Sequence, residues 1–236
     1  MKRVILSGGG TGGHIYPAVS VAEALKRRLG EDVEILFVGA EGKMEMTLIP
    51  NLGYTIKGVS VVGLQRRLAW KNLALPYYLL RSLNQARRII KEFKPDVVVG
   101  FGGYASAPIV FVAQRMGVPT IIQEQNSYAG LVNKIVGGRA KSVCVAYDGM
   151  EKFFEEEKIV HTGNPLRSAF GALNDREKTV TVDGEPVSLT PMEYNILKLL
   201  MENPNRVYSS KEVYRIVWQE ARFEDVCFST LFLRSL

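Results

Sequence analysis

Residues 6–18, LSGGGTGGHIYPA, place five glycines in six positions and then His14. Gly8, Gly10 and Gly13 satisfy G-x-G-x-x-G, a spacing at which backbone N–H groups at a helix start attract a diphosphate and the missing side chains let it come close. A dinucleotide site also wants an acid at the end of the next strand, and Glu41, after FVGA, stands late for that task. An NAD-dependent oxidoreductase therefore rests on the glycines alone. His14 argues for different chemistry, because the dipole at a helix start disfavours imidazolium and leaves a neutral ring able to take a proton. A histidine that only caps the turn is the competing reading.

These residues need elements to hold them. RVILS reads as a buried strand, PAVSVAEALKRRLG as a helix ending at Gly30, and VEILFVG as the next strand. DVVVGFGG, PTIIQEQN and SVCVAY read as further strands, APIVFVAQRMG as a helix, and LAWKNLALPYYLLRSLNQARRIIKEF as a helix interrupted at Pro76. Continuous apolar strands divided by helices predict an α/β fold, a Rossmann-like parallel sheet covered on both faces. Ligands of such sheets bind beyond the carboxyl ends of the strands. The turns SGGGTGG and GFGG and the segment QEQN all sit at such ends, so they are expected to line one cleft.

The chain has 236 residues, 47% of them hydrophobic, enough to bury one large core or two small ones. Two cysteines, Cys144 and Cys227, lie in apolar stretches and suit packing in a reducing compartment. MKRVILSGGG has too few apolar residues for a signal core or a membrane span, so a cytoplasmic start is expected. Residues 1–172 carry 22 bases against 14 acids, while residues 173–236 carry 8 against 10. No acid occurs between Glu45 and Glu92, whereas eight bases do. Leu64, Leu68, Trp70 and Leu75 intermix there with Arg66, Arg67 and Lys71, a composition suited to an anionic membrane surface. A core helix with a basic outer face is the alternative.

After residue 167 the pattern changes, with 168–178 as a linker. TVTVDGEPVSL reads as a hairpin turned at Asp183-Gly184, its second strand weakened by Pro186. TPMEYNILKLLMENP starts a helix with Thr190 as cap, Pro191 at the first position and Glu193 three residues after the cap. SSKEVYRIVWQE repeats the device with Ser209 and Glu212. A small second domain, 179–236, is expected.

GGGTGGHIYPA, GAEGKMEMTLIP, GFGGYASAP, IIQEQNSYAGLVNK and TGNPLR, in that order, closely resemble the amino-terminal domain of the MurG family over residues 1–167. The resemblance implies the acceptor-binding half of a two-domain GT-B glycosyltransferase, which moves N-acetylglucosamine from UDP-GlcNAc to lipid I, giving lipid II in peptidoglycan synthesis. It implies a diphosphate cradle of Gly9, Gly10, Thr11, Gly12, Gly13, Gly102 and Gly103, with Tyr104, Glu124 and Asn126 as further contacts. His14 becomes a general base or an orienting hydrogen bond beside the acceptor hydroxyl, and Gln123 receives no catalytic duty. The 64–75 region becomes a contact with the inner face of the cell membrane, giving a cytoplasmic, peripheral location. No cofactor and no metal is expected. UDP-GlcNAc is expected to bind only when a donor domain is supplied, so activity of this chain alone is left open.

The segment TVTVDGEPVSLTPMEYNILKLLMENPNRVYSSKEVYRIVWQE resembles the winged-helix DNA-binding domain of OmpR/PhoB-type response regulators. In that family a basic helix and a hairpin wing follow. Here FEDVCFSTLFLRSL follows, with Arg234 the one base after Arg222, so contacts to DNA phosphates are few and any DNA binding is expected to be weak. The sequence thus reads as a truncated fusion, an acceptor half joined to an incomplete winged helix. A DNA-binding transcriptional regulator is the alternative function.

Overall fold

The structure is a computed structural model that describes residues 1–61, 75–165, 178–182, 185–189, 191–203, 208 and 212–213. The chain divides into two compact units, the first running to Pro165 and the second from Leu166 to Val226.

The first unit holds β1 (Lys2–Ser7), α1 (Gly12–Leu29), β2 (Val33–Ala40), α2 (Glu45–Asn51), β3 (Thr55–Val59), α3 (Leu75–Phe93) and β4 (Val97–Gly100). There follow α4 (Ser106–Arg115), β5 (Thr120–Glu124), α5 (Leu131–Gly137), β6 (Ser142–Val145) and β7 (Ile159–His161). The seven strands form one parallel sheet in the order β3-β2-β1-β4-β5-β6-β7. The order reverses between β1 and β4, and the crevice opened there is where such sheets receive ligands.

Alternation along each strand sorts side chains onto the two faces. Val4 and Leu6 of β1 join Val97 and Val99 of β4 under α1, packing on Ile15, Val19 and Leu25. Ile5 and Val98 turn the other way and pack with Ile89, Ile90, Ile109 and Val110 of α3 and α4. Each fully buried aliphatic side chain contributes about 1.5–3 kcal/mol, so strands apolar on both faces hold the sheet between its helix layers.

Helix α1 begins at Gly12, five residues before the expected start at Pro17. The proline sits inside the helix rather than at its first position. Its missing N–H leaves the Gly13 carbonyl, next to the loop, without a helical partner. Gly30, at φ +54°, closes the helix behind Lys26, Arg27 and Arg28, whose charges suit its C-terminal end. Pro76 is helical and is the second described residue of α3; the residues immediately before Leu75 lie outside the described residues. Of the residues expected at a membrane, Leu64, Arg66, Arg67, Leu68, Trp70 and Lys71 lie outside the described residues, and Leu75 opens α3. No helix among the described residues is long and apolar enough to cross a membrane.

In the second unit β8 (Lys178–Val182) pairs antiparallel with β9 (Glu185–Leu189), and Thr181 faces Pro186. A two-stranded ribbon is all edge, so a proline there is accommodated. Helix α6 (Pro191–Glu202) starts on Pro191 as expected, and Asn203 Nδ2 donates to the Leu199 carbonyl at 2.9 Å. Asp183, Gly184, Thr190 and Ser209 lie outside the described residues, while Glu212 and Val213 are helical.

Candidate active site

The glycine loop leaves β1 at Ser7, whose Oγ donates to the Val38 carbonyl at 2.9 Å, and enters α1 through Thr11 in extended conformation. His14 is the third helical residue. Its N–H donates to the Thr11 carbonyl at 3.1 Å, and its Nδ1 lies 3.1 Å from Thr11 Oγ1. The ring is largely buried. Burial pushes its pKa below the ordinary 6.5, while a hydrogen bond to the Gly9 backbone and the charges of Glu124 and Glu45 pull it partly back. The neutral ring is thus the dominant form near pH 7.

The second glycine turn closes on the first. Phe101 N–H donates to the Ser7 carbonyl at 2.8 Å, and Gly102 and Gly103 follow at φ +89° and +78°, a region that side chains rarely adopt. A methyl group on Gly102 would press to 3.2 Å on Cδ2 and Nε2 of His14, and one on Gly103 would run into the Gly9 carbonyl. The two turns therefore meet at the imidazole with no space for side chains between them.

Glu124, at the end of β5, is buried and fully engaged. Oε1 accepts from N–H and Nδ2 of Asn126 at 3.1 and 3.0 Å; Oε2 accepts from Gly130 N–H and Asn133 Nδ2, each at 2.9 Å. The carboxylate thus folds the loop between β5 and α5, and its charge reaches His14. Gln125 Nε2 donates to the Phe101 carbonyl at 3.1 Å, bringing the ends of β4 and β5 together. Gln123 Nε2 binds the Gly163 carbonyl at 3.2 Å.

The structure brings Gly9, Thr11, His14, Gly102 and Gly103 into one cluster. Gly10, Thr11 and Gly13 are exposed at its mouth with Tyr104 and Asn126; Gly12 is half-buried. Two participants are not visible as such in the sequence. Asn133 Nδ2 lies 3.4 Å from the position of a Gly102 Cβ, and the buried Glu45 carboxylate accepts from Gly10 N–H at 3.2 Å. Glu45 fills the side of the loop next to the end of β2, the side on which a dinucleotide ribose sits. Glu41 is taken up by Ser60 Oγ at 2.6 Å and Gln85 Nε2 at 2.9 Å. Among the described residues no three His, Cys, Asp or Glu side chains are placed to hold a metal ion.

Tyr104 also borders an apolar groove of about 480 Å³ between α3, α4 and α5, walled by Tyr78, Leu79, Leu83, Phe111 and Ile135. Leu131 in its wall, and Tyr77 and Leu80 on the neighbouring side of α3, are more than half exposed. On the outer side of α3 a second hollow of about 630 Å³ is lined by Arg81, Arg87, Arg88 and Lys91.

The seven-stranded parallel sheet, with two glycine turns meeting on a histidine at its switch point, is like the N-terminal half of a GT-B glycosyltransferase. Residues 4–145 match the glycosyltransferase family 28 N-terminal domain, and the chain belongs to that family, in its MurG-like form. Residues 184–227 match the family of transcriptional regulatory proteins, C-terminal, a winged-helix segment. The chain is 54% identical over 196 residues to the UDP-N-acetylglucosamine--N-acetylmuramyl-(pentapeptide) pyrophosphoryl-undecaprenol N-acetylglucosamine transferase of Bacteroides fragilis, covering 77% of this chain and 51% of that protein. The protein of the same name from Bacteroides thetaiotaomicron is 58% identical over 165 residues, 70% of this chain and 44% of its own. The chain thus spans about half the length of these curated relatives. The crystal structure of Acinetobacter baumannii MurG superposes with a TM-score of 0.60 at 30% identity, over 72% of this chain and 48% of that one. The UDP-GlcNAc 2-epimerase of Neisseria meningitidis, at 12% identity, TM-score 0.50 and coverage of 70% and 46%, shares the fold alone.

Proposed function

We propose that this chain holds the lipid-linked muramoyl-pentapeptide acceptor, lipid I, for transfer of N-acetylglucosamine from UDP-GlcNAc in peptidoglycan synthesis. The observation that carries the reading is the junction at Gly103-Tyr104: one residue packs against the Gly9 carbonyl beside His14, and the next opens an apolar groove. A diphosphate flanked by a sugar and an isoprenyl chain has the same order of polar and apolar parts. The backbone N–H groups of Thr11, Gly12 and Gly13 would face the diphosphate, Gly10 N–H being held by Glu45, with Tyr104 and Asn126 at the rim. Glu124 would act through the loop it folds.

In the transfer the acceptor hydroxyl attacks the anomeric carbon, UDP leaves with the bonding electron pair, and the hydroxyl proton passes to neutral His14. Orienting that hydroxyl by hydrogen bond is the lesser role open to the ring. The exposed apolar start of α3 and its basic side, with Arg66, Arg67, Trp70 and Lys71 before it, would lie on the anionic inner face of the cell membrane. We assign residues 1–167 to this acceptor domain, 168–178 to a linker and 179–236 to the winged-helix unit. The winged-helix match also supports a second reading, a regulator that binds DNA.

Titrating the chain with a short-chain lipid I analogue and with duplex DNA separates the two. Saturable binding of the analogue, weakened when its diphosphate is removed, is the expected result. No saturable binding, with tight binding of DNA, would replace this reading by the second.

A further inference from the structure

Glu45 opens α2, and it is only 1% exposed. Its Oε1 accepts from the N–H of Ala40, the last residue of β2, at 3.0 Å, and its Oε2 accepts from Gly10 N–H at 3.2 Å. Two glycines make room for it: a methyl group on Gly39 would lie 2.6 Å from Glu45 Cγ, and one on Gly9 would collide with the carboxylate. Burying a carboxylate is costly unless donors meet it, and here a strand end and the glycine loop both supply one.

The consequence lies on the far side of one peptide bond. Gly10 N–H and the Gly9 carbonyl belong to the same peptide unit, which is planar and trans, so the two point in opposite directions. Fixing the N–H on Glu45 therefore fixes the direction of the Gly9 carbonyl. That carbonyl is the group against which Gly103 packs, and the His14 ring hydrogen-bonds to the same backbone. We propose that Glu45 is a positioning residue for His14: by holding the Gly9–Gly10 peptide it sets the orientation and tautomer of the imidazole. The assignment rests on the reading of His14 as the group beside the acceptor hydroxyl.

The chain has two histidines, His14 and His161, so ring-labelled ¹⁵N spectra report His14 with an internal control. Glu45→Gln keeps the size but has one acceptor oxygen for two N–H donors, and the longer bond, to Gly10 N–H at 3.2 Å against 3.0 Å to Ala40 N–H, is the one given up, which releases the peptide. The expected result is a changed ratio of the two His14 tautomers, unchanged His161 signals and about tenfold weaker binding of a short-chain lipid I analogue. Gly9→Ala, which displaces the same carboxylate, should change the His14 signals in the same way. In the unaltered chain the Gly10 amide proton should exchange slowly. Unchanged His14 signals in folded Glu45→Gln, or a Gly10 amide that exchanges as fast as an open loop amide, would overturn the proposal. The two arms separate: an unaltered chain that fails to bind the analogue removes the acceptor reading, while the ring signals and the Gly10 amide still decide the role of Glu45.

Discussion

At the scale of single residues, the burial of His14 has a sign that stability can read. Its pKa is lowered in the folded state from an ordinary 6.5, so the unfolded chain binds the proton more readily. The contribution is intact above pH 6.5 and is lost as pH falls through the lower folded-state value. Urea unfolding should show stability falling from pH 7.5 to 5.5, with a shallower fall in His14→Gln; equal slopes would contradict the burial argument. Glu124 yields a second expectation. Four donors converge on its carboxylate, and unsatisfied buried donors cost roughly 1–3 kcal/mol each. Because Asn126 can reach water, Glu124→Ala should cost about 3 kcal/mol in denaturant unfolding, and a loss near zero would show that the loop folds without it. That Glu124 stands at the carboxyl end of a central strand is legible from QEQN. That its oxygens are spent on Gly130 and Asn133 is not, because the bend that returns those residues to β5 leaves no mark in the spacing.

At the scale of elements, runs apolar on both faces announced β1, β2, β4, β5 and β6, since burial on two sides removes alternation. Edge strands β3 and β7 carry no such mark: TIKGV is half polar, and IVH is three residues long. The start of α1 was hidden by Pro17, which marks a helix start more often than it sits within one. Helix α3 carries the proposed membrane face on its exposed side. Tyr77, Leu79 and Leu80 are 62%, 55% and 64% exposed, next to the bases of the outer hollow. Each base near an anionic bilayer contributes about 1 kcal/mol. Replacing Arg81, Arg87 and Arg88 with Glu should therefore lower partitioning onto phosphatidylglycerol vesicles on the order of 100-fold at low salt, as cosedimentation would measure. Undiminished binding would take α3 out of the membrane contact.

At the scale of the whole molecule, a MurG-like domain is followed by a segment that matches transcriptional regulators. If residues 1–167 hold the acceptor as proposed, a labelled lipid I analogue should bind the polypeptide saturably and UDP-GlcNAc should not displace it; displacement by UDP-GlcNAc would refute that assignment. Residues 173–236 carry ten acids against eight bases, so no footprint on a response-regulator operator is expected at about 0.15 M salt, where charge effects reach only about 8 Å. The place of β1 beside β4 at the centre of the sheet also sets a timetable. The ribosome makes Gly8–His14 before Phe101–Gly103, the wall that closes on the imidazole and that comes nearly ninety residues later. At about 5–20 residues per second this is a wait of roughly 5–20 s. During synthesis the glycine loop stays open to water and to any chaperone until that turn emerges, so His14 waits for its enclosure while nearly ninety further residues are made.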